Sequence, residues 1–79
     1  MLAFRALTFL QAMTPHEMRG LRRFHGIQQV AVAQRMGRYP AWLSHAECGW
    51  VSVSEAELEA WEHALTDLIR EKQKAREEA

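Results

Sequence analysis

Several features that define large protein classes are scarce in this 79-residue sequence. Its single cysteine, Cys48, excludes an internal disulfide framework and a zinc site built from thiolates. No apolar run approaches the roughly 18 residues that a membrane-spanning helix needs. The apolar start MLAFRALTFLQAM lacks a small-residue cleavage site, so we expect no signal peptide and a cytoplasmic location. These absences predict one small domain without a membrane partner.

The sequence also lacks the patterns that enzyme and metal sites require. His16 and Glu17 begin like the zinc-protease motif HExxH, but Gly20 stands where the second histidine ligand belongs. Ser44 and His45 are neighbours on an expected helix and point to different faces, so they do not form a nucleophile–base pair. No glycine-rich phosphate loop is present in the sequence. We therefore expect neither an enzyme nor a bound metal or cofactor.

Charge is unevenly distributed along the chain although its sum is zero. Residues 15–54 carry five arginines and two acids, whereas residues 55–79 carry eight acids and four bases. Arginine makes planar, bidentate contacts with phosphates, carboxylates and guanine edges. The middle section is therefore compatible with an acidic or nucleic-acid partner, and equally with a solvated surface of mixed sign.

Two capping boxes predict where helices begin. Residues 14–17, TPHE, combine a threonine cap, a proline at the first helical position and a glutamate three residues after the cap. Ser54 and Glu57 repeat the spacing of cap and glutamate, and an apolar stripe that includes Trp61 follows. The sequence thus predicts a first helix from residue 15 and a long fourth helix after residue 54. Trp61 is expected in the core, with a peptide-binding role as the alternative.

Two shorter helices are predicted between these two. The second covers residues 28–36 and the third runs from about 39 to 47 or 48, with Gly37 and Gly49 as stops. Glycine permits the left-handed backbone that a three- to four-residue turn needs. The fourth helix is expected to continue into a charged tail, residues 66–79. Residues 1–13 form an apolar extension whose conformation stays open among an edge strand, a helix and an upstream extension.

The most informative stretch is residues 21–49, LRRFHGIQQVAVAQRMGRYPAWLSHAECG. Residues at fixed offsets carry its pattern: Arg22, Gln29, Ala33, Gly37, Leu43, Ser44, Glu47 and Gly49. With this spacing the chain resembles the lambda-repressor-like (Cro/CI, XRE) family of helix-turn-helix domains over about residues 14–65. The resemblance implies an all-α, compact four- to five-helix domain, which here has an extended C-terminal helix and an apolar N-terminal extension.

The resemblance also implies that the third helix enters the major groove of double-stranded DNA. The DNA-binding positions carried over onto this chain are Gln28, Gln29, Arg38, Tyr39, Pro40, Ala41, Trp42, Ser44 and His45. Gln29 is expected to contact a phosphate, and Arg38 in the turn is placed to reach another. Arg22 and Glu47 are implied to form a structural salt bridge between the first and third helices.

Several positions depart from the family pattern. The segment Tyr-Pro-Ala-Trp replaces the polar base readers common in the family, Arg38 replaces an apolar residue, and the loop after the third helix has no lysine or arginine. Two interpretations therefore stay open. The first is a small bacterial or phage transcriptional regulator, a repressor or autoregulator that binds a palindromic operator. The second is an antitoxin-like or adaptor module whose partner is a protein.

A homodimer is expected because helix-turn-helix domains commonly read two half-sites about 34 Å apart. The apolar residues at the two ends of the chain exceed what one small domain needs, and a two-fold interface would bury them. The residues expected in that interface are Leu2, Phe4, Leu7, Phe9, Leu10, Leu65, Leu68 and Ile69.

Overall fold

A computed structural model describes residues 13–78 of the chain. Within them the backbone forms four α-helices and no strand, which confirms the all-α expectation. The helices are α1 Pro15–Phe24, α2 Gln29–Met36, α3 Pro40–Glu47 and α4 Glu55–Glu78. The expected dimer contacts Leu2, Phe4, Leu7, Phe9 and Leu10 lie outside the described residues. No helix of the described part is both long and apolar enough to span a bilayer.

Both predicted capping boxes are present. The Glu17 N–H donates to Thr14 Oγ1 at 3.2 Å, and the Thr14 N–H donates to Glu17 Oε1 at 2.8 Å. Ser54 and Glu57 make the same reciprocal pair at 3.0 and 3.1 Å. These bonds satisfy N–H groups that a helix leaves without intrahelical partners, so they define where α1 and α4 begin.

A three-residue turn, residues 37–39, joins α2 to α3. Gly37 has φ 72° and ψ 31°, a left-handed conformation that strains any residue with a Cβ atom. The Arg38 N–H then donates back to the Ala33 carbonyl at 2.8 Å and closes the end of α2. The predicted glycine stop is confirmed, and Pro40 follows at the first position of α3, where it loses no helical hydrogen bond.

The core lies between all four helices, with α1 and α2 each packed against α3 and α4. Its buried apolar residues are Met18, Ile27, Val32, Ala33, Leu43, Ala46, Trp61, Ala64 and Leu65. Trp61 is fully buried, which confirms its expected place in the core. Its indole N–H is buried without a hydrogen-bond partner among residues 13–78. Within the described residues, packing therefore holds this side chain in place.

The expectation that Leu65 faces a dimer partner is wrong. Its side chain is 1% exposed inside the core of its own chain, because a residue four positions after Trp61 lies on the same helix face. Leu68 and Ile69 are half-buried and pack against the edge of that core. Of the three α4 residues expected in an interface, only these two retain exposed surface.

Polar contacts hold the second half of α4 against the rest of the domain. Arg35 on α2 donates two hydrogen bonds to the Glu71 carboxylate, at 2.8 and 3.0 Å. This pairing lowers the pKa of the Glu71 carboxyl. Lys72 Nζ donates to the carbonyls of His25 and Gly26 at 2.7 and 3.3 Å, just after the end of α1. The fourth helix therefore docks well beyond residue 65 instead of leaving the domain there.

Candidate nucleic-acid interface

The third helix has one buried face and one exposed face. Leu43, Ala46 and Glu47 are buried against the rest of the domain. Ala41 and His45, four positions apart on the other side, are both exposed. Tyr39, the N-terminal flanking residue of α3, is 83% exposed. The side of α3 that the resemblance assigns to DNA is thus left open by the described part of the chain.

An exposed aromatic ring lies at the C-terminal end of this face. The ring of Trp50 lies 5.3 Å from that of His45 at an angle of 36°, and the Trp50 N–H donates to the His45 carbonyl at 2.9 Å. Trp50 is 74% exposed. It is not among the predicted site residues, although its place three positions after the end of α3 is a signal that could mark it. Tyr39 and Trp50 therefore flank the open face of α3 at its two ends.

The Arg22–Glu47 pair supports α3 from beneath. Arg22 Nε lies 2.7 Å from Glu47 Oε2, Arg22 Nη2 lies 3.1 Å from Glu47 Oε1, and Arg22 Nη1 donates to the Ile27 carbonyl at 2.8 Å. The two side chains are only 10% and 1% exposed. This is the inter-helix pair that the resemblance implied, and its hydrogen bonds compensate both buried charges. It ties α1 to α3 and fixes which face of α3 points outward.

Gln29 has a role that sequence reasoning missed. Its side-chain amide donates to Glu47 Oε1 at 2.9 Å, so it completes the buried charge pair. A primary amide has a second N–H, and only this one remains for the expected phosphate contact. Gln28, the N-cap of α2, is exposed and makes no capping bond with its side chain. The first N–H groups of α2 consequently keep no side-chain cap, in contrast to those of α1 and α4.

Arg38 and Trp42 have partners within the chain. Arg38 Nη2 donates to Glu57 Oε2, and the guanidinium carbon lies 4.6 Å from the centroid of the Trp42 ring. The Trp42 ring in turn lies 6.3 Å from that of Trp61, at 65°. Trp42 is half-buried, because its ring packs against the edge of the core and finds an aromatic neighbour there, and its place among the DNA-binding residues stays a prediction. Pro40 is exposed and Ser44 is half-buried.

The carboxylate of Glu57 has two partners. The Ser54 backbone N–H bond is the main cause that lowers the pKa of the Glu57 carboxyl, and the Arg38 charge and hydrogen bond lower it further. Glu57 therefore stays ionised beside Arg38 through the neutral pH range. The sequence analysis expects the positive charge of Arg38 to contact a DNA phosphate. In the structure, the negative charge of Glu57 lies next to it.

Within residues 13–78, charged residues of opposite sign that have no ion-pair partner there lie on two other surfaces. His16, Arg19 and Arg23 on α1 line, with Gly20, a groove of about 250 Å³. In the described structure neither arginine pairs with an acid. A second groove of about 190 Å³ on α4 is lined by Glu55, Leu58, Glu59 and Glu62. The uneven distribution of charge along the sequence thus becomes a separation of charge across the surface.

Metal-ligating residues do not gather around α3. Between residues 13 and 78, no three histidine, cysteine or acidic side chains lie close enough together to hold a metal ion. No family model matches the chain, and comparisons with curated proteins and with solved structures find no match either. The likeness to lambda-repressor-like domains therefore rests on the residues of the sequence alone.

Proposed function

We propose that this chain is a sequence-specific DNA-binding protein of the lambda-repressor-like, helix-turn-helix type, and that it acts as a small repressor or autoregulator. One observation carries the proposal: α3 is held from beneath by the buried Arg22–Glu47 pair while Ala41 and His45 face outward. Reading a base sequence needs a helix whose exposed face is rigidly oriented toward the major groove. The unit of α2, turn and α3 meets that need.

Ala41 and His45 on α3, and Tyr39 just before it, have a chemistry that suits a base edge. Ala41 is small enough to let the helix approach and to contact a thymine methyl group. His45 can donate or accept a hydrogen bond at a base edge, and the Tyr39 hydroxyl can do the same or bind a phosphate. The uncapped N-terminus of α2 and the free N–H of Gln29 supply donors for the DNA backbone.

Dimerisation is part of the proposal. A single unit with so few charged contacts would bind weakly, whereas two linked copies gain from their effective concentration on adjacent half-sites. Leu68 and Ile69 at the edge of the core are the described residues of the predicted interface that retain exposed surface for such a contact. Sedimentation at micromolar concentration tests it, and a wild type that sediments as a 9.1 kDa species contradicts it.

The decisive experiment introduces a charge onto the open face of α3. Duplexes selected from a randomised pool are measured by fluorescence anisotropy against wild type, Ala41→Glu and Ala75→Glu. We expect Ala41→Glu to lose about 100-fold in affinity, because the carboxylate would be buried against the negatively charged DNA groove in the complex. Ala75→Glu adds the same charge at an exposed position near the end of α4 and should change affinity by about twofold or less. Wild-type affinity in Ala41→Glu would show that α3 does not enter the groove.

A protein-binding module is the second candidate, and a specific observation favours it. Glu57 neutralises Arg38, while Tyr39 and Trp50 are 83% and 74% exposed at the two ends of α3. Exposed aromatic residues are enriched where proteins bind one another. A selection that enriches no duplex, even at low salt, would favour this function over DNA binding.

A further inference from the structure

We propose that Glu57 sets the affinity for DNA by masking Arg38, because its carboxylate occupies the guanidinium group that a backbone phosphate would otherwise bind. The inference rests on the proposed function and concerns the control of the same site. It assigns that control to a residue of α4, outside the helix-turn-helix unit.

The Glu57 carboxylate is held in place by the start of its own helix. Oε1 accepts the Ser54 backbone N–H at 3.0 Å, while Oε2 accepts from Arg38. The Glu57 side chain is 25% exposed and that of Arg38 is 40% exposed. An exposed ion pair usually costs entropy, because a free side chain must be ordered to form it. Here the capping bond already fixes one oxygen of Glu57, so the other oxygen meets Arg38 without that cost.

Arg38 is also held from its other side. The guanidinium lies over the Trp42 ring at 4.6 Å, and Trp42 packs on the buried Trp61. This stacking does not depend on Glu57. If the carboxylate loses its charge, the guanidinium keeps its place in the turn directly before α3, where its N–H groups are free for an outside acceptor.

The mask matters because Arg38 is the one arginine or lysine among the nine residues proposed to bind DNA. Phosphate contacts supply most of the affinity for DNA of any sequence, so a masked arginine lowers non-specific binding first. An exposed ion pair is weak, and a DNA phosphate can therefore replace the carboxylate once the base contacts of α3 are made. Glu57 thus favours the operator over other duplexes at some cost in total affinity.

Glu57→Gln tests the mask and keeps the cap, because a glutamine oxygen accepts the same N–H in a capping box. Glu71→Gln is the matched control. It removes the same charge from the same helix and frees Arg35 from its two hydrogen bonds. Residue 71 lies fourteen positions further along α4, which is about 21 Å of helix. Circular dichroism confirms that both variants keep the wild-type helix content.

We expect Glu57→Gln to bind a non-specific duplex about tenfold more tightly than wild type and to steepen the salt dependence by about one phosphate contact. Glu71→Gln should gain about twofold or less. In an Arg38→Gln background, Glu57→Gln should have no further effect beyond that of the control. Equal gains in Glu57→Gln and Glu71→Gln would overturn the inference.

Elution from immobilised heparin separates the two proposals, because it measures the uncovered charge without any duplex. Glu57→Gln should elute at higher salt than wild type, and most of this shift should disappear when Glu57→Gln is compared with Glu57 in an Arg38→Gln background. A full shift in that background overturns the masking of Arg38 by Glu57. If neither wild type nor Glu57→Gln binds any duplex at low salt, the proposed function is overturned. That outcome is recognisable because the dependence of the heparin shift on Arg38 persists.

Discussion

Three arginine–glutamate pairs connect α2, the turn and α3 to the helices on either side, and the two that involve the turn or α3 differ clearly in burial. Arg22–Glu47 joins α1 to α3 with side chains 10% and 1% exposed, whereas Arg38–Glu57 joins the turn to α4 with side chains 40% and 25% exposed. A buried charge that loses its partner finds no water to replace it, but an exposed charge does. The first pair therefore holds the fold, and the second can exchange its partner.

The surroundings of the two pairs reinforce this difference. The buried pair is completed by the Ile27 carbonyl and the Gln29 amide, so all three guanidinium nitrogens and both carboxylate oxygens are hydrogen-bonded inside the domain. At the exposed pair, the carboxylate is shared with a helix cap and the guanidinium rests on an aromatic ring. Loss of the exposed pair should leave both groups with another stabilising contact.

The largest loss of stability is expected for substitution of Trp61, which lies beneath the exposed pair. Trp61→Ala should destabilise the domain by about 4 kcal/mol, because it leaves a large cavity under Trp42. Urea denaturation followed by circular dichroism measures it, since Trp42 and Trp50 complicate fluorescence. Trp61→Phe should cost less, because it keeps a six-membered aromatic ring, and the N–H that it removes with the rest of the indole has no partner in the described structure. An unchanged transition in Trp61→Ala would show that Arg38 and Trp42 do not depend on the core.

Removal of one partner of the buried pair should have the next largest effect. Glu47→Ala should lower the free energy of unfolding by about 3 kcal/mol, because Arg22 keeps its charge in a buried site. The double variant Arg22→Met, Glu47→Leu should recover most of this loss, since it leaves no charge behind. Denaturation by urea compares the three proteins. Normal stability in Glu47→Ala would remove the distinction between the two pairs.

A fall in pH should destabilise the fold, because it protonates carboxylates that are ionised at neutral pH. The pKa values of Glu17, Glu57 and Glu71 lie below the ordinary 4.5, owing to bonds from Thr14, from Ser54 and from Arg35 respectively. A depressed pKa means that the unfolded chain binds protons first, so these groups stabilise the fold above pH 4.5 and lose that effect as the pH falls through their folded pKa values. The melting temperature should therefore fall between about pH 5 and pH 3, and a flat profile would contradict the assignment.

The smallest change in stability is expected for Glu57→Gln at neutral pH. Its melting temperature should lie within about 2 °C of wild type, because the cap is retained and an exposed pair contributes little. Its acid profile should also be shallower than that of wild type, since one depressed carboxyl is gone. A loss of stability as large as that of Glu47→Ala would mean that burial does not separate the two pairs.

Helix starts and stops followed from the sequence because their hydrogen bonds are local. Each capping box joins residues three positions apart, and Gly37 ends α2 through its own backbone angles. The amphipathic spacing of α4 likewise predicted Trp61 in the core without reference to its partners. Arg22–Glu47 spans 25 positions, and it was predicted only through the resemblance that fixed the arrangement of α1 and α3.

Only the tertiary structure decided which side of α4 is covered and which charges meet. Leu65 lies on an apolar stripe that suited an interface as well as a core, and the packing of α4 against α1 and α2 assigned it to the core. Arg38 and Glu57 stand 19 positions apart on elements whose local signals do not refer to each other. They meet because the start of α4 packs beside the turn between α2 and α3. Period and capping determine where a helix lies along the chain, whereas its neighbours in space depend on how all four helices share one core.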